Sequence, residues 1–202
     1  MIFAPPFPGL EDAAARGCST SAVASAFGSE AVAIRSTSLH VSVKRRADPA
    51  TLTAAGELTA AAYAADGFVG DDYVETLRDA ATRDREAEVW VATDAVGSVL
   101  GCVTYCPPGS PWREVAADDS EGEFRMLAVA TTARHRGVAR LLVQHCLERS
   151  RALGQHRLVL CSERRMAAAH RLYVTLGFVR LPERDWAPAP GVDLLAYSVD
   201  LR

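Results

Sequence analysis

From position 40 to 47 the chain alternates apolar and polar residues (HVSVKRRA), which predicts a strand with one buried face. Asp48 and Pro49 then offer a helix start, and TLTAAGELTAAAYA (51–64) predicts an alanine-rich helix ending near Asp66 and Gly67. DDYVETLRDAATR (71–83) predicts a second helix, with acids in its first turn and Arg83 near its end, as the helix dipole favours. EVWVATD (88–94) and VLGCVTYC (99–106) predict two strands joined by a turn holding Gly97 and Ser98. A polar, proline-containing loop follows over 107–122, and loops of that length inside a domain are usually functional or disordered.

EFRMLAVA (123–130) predicts the next strand. Beyond it Val138, Leu141, Leu142 and Cys146 recur at helical spacing, and that helix runs to about Leu153 and Gly154. HRLVLCS (156–162) predicts a strand and RRMAAAHRLYVTLG (164–177) a helix closed by Gly177. FVRLPER (178–184) and VDLLAYSVDL (192–201) predict two last strands, joined by a loop with Trp186 and prolines. The order β-α-α-β-β-β-α-β-α-β-β implies a mixed sheet with helices on its faces, an α+β or three-layer α/β-type fold.

Composition narrows the classes. At 202 residues, 49% of them apolar and 23% charged, one globular domain is expected. A net charge of −3 disfavours a nucleic-acid binder, and no run approaches the ~18 apolar residues of a membrane span. Residues 1–38 lack a basic region like that of a signal peptide, and their prolines with Glu11, Asp12 and Arg16 interrupt any apolar segment. They are expected to form a flexible or loosely docked extension preceding a domain over 39–202. The five cysteines have no zinc spacing, so no metal is expected and the thiols fit a reducing, cytoplasmic setting.

One stretch calls for chemistry. TTARHRGVARLL (131–142) crowds Arg134, His135 and Arg136 ahead of Gly137, where a helix begins, with Arg140 one turn on. The first amides of a helix lack intrahelical partners and the dipole adds partial positive charge, so a glycine-led helix start is an anion site. The segment is neither a P-loop nor a dinucleotide fingerprint. Alone it reads equally as a solvated basic helix cap.

Its context is more specific. Arg134–Ala139 (RHRGVA), preceded by Leu127-Ala128-Val129 and followed by AHRLYVTLGF (169–178), resembles the GNAT family of acyl-CoA-dependent N-acetyltransferases. The match is to the R/Q-x-x-G-x-G/A cofactor loop, the strand before it and a later A-x-x-L-Y-x-x-L-G-F helix. It is clear over about 123–180. The resemblance implies a mostly antiparallel mixed sheet with a splayed parallel strand pair and helices on both faces. It further implies acetyl-CoA as co-substrate, with Leu127, Ala128 and Val129 along the pantetheine and the Val129 amide facing the thioester oxygen. Arg134, His135, Arg136, Gly137, Val138, Ala139 and Arg140 would cradle the pyrophosphate. Met166 stands where relatives commonly carry an asparagine.

The implied reaction is direct attack of a primary amine on the thioester. Tyr173 is the expected general acid for the leaving thiolate, or else a packing residue on the core face with Met166, Ala169 and Leu176. Glu123 is the expected base, with Asp118, Asp119 and Glu121 as competitors; an ordinary strand-end acid is the equal alternative. Cys161 or Cys102 as nucleophile lacks a partnered histidine, and His170 reads as a packing residue. The acidic run could steer a cationic acceptor that Trp112 and Trp186 line, or could be a solvated loop. The expected partners are thus a small-molecule, peptide or protein amine, with no nucleic acid or membrane, acting on a monomer or homodimer. A catalytically inactive acyl-CoA sensor is the competing reading.

Overall fold

A computed structural model describes residues 41–45, 47–65, 67 and 71–201. The predicted extension over 1–38 and the first residue of the predicted strand, His40, lie outside the described residues. The elements in chain order are β1 (Ser42–Lys44), α1 (Pro49–Ala65), α2 (Asp71–Arg78), α3 (Ala80–Glu86), β2 (Glu88–Thr93), β3 (Val99–Cys106) and β4 (Glu121–Val129). They continue with α4 (Val138–Ala152), β5 (Arg157–Glu163), α5 (Ala167–Thr175), β6 (Val179–Arg180), β7 (Trp186–Ala189) and β8 (Val192–Asp200).

Three expectations change. The helix predicted over 71–83 is two helices, because the Asp79 carboxylate accepts the Thr82 amide at 2.9 Å and the Thr82 hydroxyl at 2.6 Å and so caps a new start at α3. The loop between the last two predicted strands contains β7, an edge segment in which the missing N–H of Pro188 costs little. Pro182 also ends the strand predicted over 178–184 early, at β6, and a single 3₁₀ turn follows.

The strands lie in the order β1-β2-β3-β4-β5-β8, with β6 and β7 both pairing the outer side of β8. Only β4 and β5 run parallel among these pairs. On one face α4 and α5 bury Leu142, Val143 and Tyr173 against Phe124, Leu158, Leu160 and Phe178. On the other, Leu52 and Ala55 of α1 pack on Val89, Val91, Cys102 and Ala128. The result is three layers, as the sequence order implied.

A polar lock sits beneath the parallel pair. The Tyr105 hydroxyl bonds Ser150 at 3.0 Å and also donates to Gln155, whose amide donates to the Glu121 carbonyl at 2.9 Å. Gly122 fits there because any Cβ would collide with Ser150 Oγ, Gln155 Oε1 and the Tyr105 hydroxyl. The closed end of the β4–β5 pair is therefore fixed by a satisfied buried network.

Candidate active site

β4 and β5 are in register only from Glu121 with Arg157 to Glu123 with Val159. β4 then runs on to Val129 and β5 to Glu163, so the two strands part into a V. A bulge reinforces the parting. Thr104 faces Arg125 and Cys102 faces Ala128, leaving Met126 and Leu127 opposite Val103 alone, with Met126 at φ 53°. Past the bulge the Ala130 amide donates to Leu100 O at 2.9 Å. Antiparallel amides alternate in direction, so the Val129 N–H points away from β3 and into the V.

The chain leaves β4 through a 3₁₀ turn (131–133) and enters the basic stretch. His135 (φ 61°) and Gly137 (φ 82°) both adopt left-handed backbone around Arg136, the alternation that turns successive amides toward one point. Gly137 caps α4 with no side-chain hydrogen bond, so the first amides of the helix are open to an anion. His135, Arg136, Gly137 and Arg140 are exposed, while buried Val138 and Leu142 fasten the helix to the core. Arg140 also donates to Thr175 Oγ1 at 3.0 Å, tying α4 to α5. At Gly101 a Cβ would stand 2.7 Å from Ala128 O and 3.0 Å from Val138 Cγ1, so this glycine lets β4 and the start of α4 approach β3.

Tyr173 projects from α5 into the core beside Phe124, Phe178 and Tyr197, with ring centroids 5.9–6.0 Å apart. Burial, with smaller contributions from Cys146 and Tyr197, pushes its phenol pKa up, so it stays protonated. The phenol of Tyr63, from α1 on the opposite face, is raised mainly by burial, then by Tyr73 and Tyr173.

Glu123 is not arranged as the expectation of a base requires. Its side chain is only 1% exposed, and its carboxylate accepts the amides of Glu114 (3.0 Å), Val115 (2.9 Å) and Ala116 (2.9 Å). These donors fill Oε2 and share Oε1, so the group holds the 107–120 loop against β4. The competing acids are tied up as well. Asp118 accepts the Ser120 amide at 2.8 Å, and Asp119 pairs with Arg113 at 2.9 Å. Glu121 meets Arg184 at 2.6 Å and Arg157 at 3.4 Å. The steering expected of this run therefore has mostly internally paired charge behind it.

A second cluster, which the sequence did not single out, lies where the two strands begin to part. Arg125 pairs with Glu114 at 2.6 Å and donates to Trp112 O at 3.0 Å and to the Tyr73 hydroxyl at 3.5 Å. Its signal was available, since a charged residue amid FRMLAV must find a partner once buried. Across the V, Cys161 has its thiol pushed up to about 12 by burial and then by Glu123, which removes the thiolate a nucleophile needs. Trp186 is a hydrogen-bond partner of that thiol, while Trp112 donates to Glu86 at 2.9 Å. His170 packs on Tyr197, centroids 5.3 Å apart.

The family model for the acetyltransferase (GNAT) family matches residues 56–178, which span the V, the cradle and Tyr173. The chain belongs to the GNAT acetyltransferase family. Solved structures agree on the fold. An acetyltransferase of the GNAT family from Staphylococcus aureus Mu50 is 12% identical, with a TM-score of 0.62 over 80% of this chain and 99% of that one. A Salmonella typhimurium protein assigned as an acetyltransferase and solved with its cofactor acetyl-CoA is 21% identical, with a TM-score of 0.63 over 80% and 94%. An Escherichia coli N-acetyltransferase acting on an alanine of a ribosomal protein is 19% identical, with a TM-score of 0.59 over 80% and 94%. No curated protein matches the sequence. Among the described residues no helix is long and apolar enough to cross a membrane, and no cluster of three metal-ligating side chains occurs.

Proposed function

We propose that this GNAT protein transfers the acetyl group of acetyl-CoA to a primary amine in a ternary complex. The observation that carries the reading is the continuous path from the open Val129 amide in the V to the uncapped helix start at Gly137. A pantetheine arm fits along Leu127, Ala128 and Val129 because this stretch has left β5 and keeps amides unpaired on that side. Amides from His135 to Arg140 then face the pyrophosphate, and Arg134, Arg136 and Arg140 surround it with fork-shaped donors.

The chemistry follows from what each position offers. The Val129 N–H stabilises the oxyanion that forms as the amine attacks the thioester carbonyl. Collapse breaks the C–S bond, and the Tyr173 hydroxyl, kept protonated by burial, supplies the proton to the departing thiolate. The acceptor is an amine of a small molecule, peptide or protein, and the enzyme acts as a monomer or homodimer. The four described cysteines are free thiols, which fits the cytoplasm.

The test is thiol release from acetyl-CoA over a panel of amines. Tyr173→Phe should lower kcat about 100-fold or more while the KM for acetyl-CoA changes little. Unchanged turnover would remove Tyr173 from the reaction. Acetyl-CoA binding without turnover on any amine would favour the sensor reading.

A further inference from the structure

We infer that Glu114, carried on the loop between β3 and β4, takes the proton of the acceptor ammonium through water that fills the V between its narrow end and Val129. The inference rests on the transferase reading and names the base which that reading lacks once Glu123 is committed to the loop amides.

Placement comes first. Arg125 stands two residues past Glu123, the last position of β4 that pairs with β5, and Cys161 stands two residues past its partner Val159. Side chains two apart on a strand share a face, so Arg125 and Cys161 are the two lips of the V where it opens. Glu114 is fixed beside the Arg125 lip. Its own amide donates to Glu123 at 3.0 Å, and Arg125 Nη2 holds its Oε1 at 2.6 Å.

Availability separates the two glutamates. Among the described residues Glu114 Oε2 has no protein hydrogen-bond donor, and the side chain keeps 17% of its surface exposed. Glu123 keeps 1%, with three amides on its carboxylate. Burial also raises the Glu114 carboxyl, against the opposing pull of Arg125, which suits a group that must accept a proton near neutral pH. The charged and titratable groups facing it are Arg125 and Glu123 from β4, Cys106 from β3, Cys161 from β5 and Tyr73 from α2.

The proton balance closes. The ammonium gives one proton through that water to Glu114 Oε2, and the freed nitrogen lone pair forms the N–C bond. The C–S bond then breaks, the thiolate takes the Tyr173 proton, and the second nitrogen proton restores the phenol. Glu114 returns its proton to solvent, so one proton leaves per turnover.

The experiment compares wild type, Glu114→Gln and Glu114→Asp on an alkylamine and on an amine that is unprotonated at neutral pH, such as hydroxylamine. Glu114→Gln should lose about 100-fold or more in kcat/KM for the alkylamine at pH 7 and lose the acid limb of its pH profile. Acetylation of hydroxylamine should stay within a few-fold, the acetyl-CoA thermal shift should match wild type, and Glu114→Asp should recover at least about tenfold over Gln. Wild-type kcat/KM with an intact acid limb in Glu114→Gln would overturn the proposal. So would an equal loss on both amines, which marks a structural role. A wild type that neither shifts with acetyl-CoA nor releases thiol would overturn the transferase reading itself.

Discussion

Replacing Glu123 with glutamine preserves the side chain's shape and removes its charge, so it separates a loop anchor from a base. Three backbone amides end on this carboxylate, each at 2.9–3.0 Å. A hydrogen bond to a charged group is worth ~1.5–3 kcal/mol and one to a neutral group ~0.5–1.5, a difference of about 1 kcal/mol for each amide. The three together predict a loss of about 3 kcal/mol. For a domain of this size each kcal/mol moves Tm by ~2–4 °C, so the melt should fall by roughly 6–12 °C. Differential scanning calorimetry at pH 7 gives the shift, and initial rates below the new melting point give activity. Glu123→Gln should keep at least about a tenth of wild-type kcat and the acid limb of its pH profile. A Tm within about 1 °C of wild type, combined with a 100-fold loss of kcat and of that limb, would refute the assignment and return Glu123 to the role of base.

Further tests bear on other parts of the architecture. Gly101→Ala drives a methyl to 2.7 Å from a backbone carbonyl and 3.0 Å from Val138 at the helix start, so it should cost ~1–3 kcal/mol in denaturant unfolding and weaken acetyl-CoA binding together. Gly137→Ala, at φ 82°, should cost ~1 kcal/mol of backbone strain and raise the Kd for coenzyme A, as calorimetric titration would measure. Burial works against charged Glu121, but the Arg184 hydrogen bond, the Ala117 amide and the charges of Arg184 and Arg157 outweigh it and hold its pKa below the usual value. A carboxyl with a lowered folded pKa stabilises above its unfolded pKa and loses that contribution as pH falls through the folded one. Denaturation midpoints should thus drop as pH falls below about 4.5, and Arg184→Met should flatten that slope.

What the sequence could show divides along local and tertiary lines. Val138, Leu141, Leu142 and Cys146 at helical spacing, with Gly137 ahead of them, announced both α4 and its uncapped start, because helix pattern and cap chemistry are local. The V was legible only through resemblance, because the bulge at Met126 depends on how many residues β3 sets opposite it. The break at Asp79 was local and missed, since the run over 71–83 keeps a helical composition through the cap. β7 was concealed by Pro188 and Pro190, which an edge strand tolerates. The commitment of the Glu123 carboxylate to backbone amides was beyond reach. It depends on a loop of more than ten residues folding back so that its amides, rather than substrate, meet the Glu123 carboxylate.

The most direct measurement is thermal unfolding of the protein with and without acetyl-CoA, and with coenzyme A alone. At ~100 times its Kd a ligand adds about 2.7 kcal/mol, several degrees for a domain of this size. A shift of that size with both compounds, reduced in Arg136→Ala, is the predicted result. The absence of any shift with either compound at millimolar concentration would contradict the account.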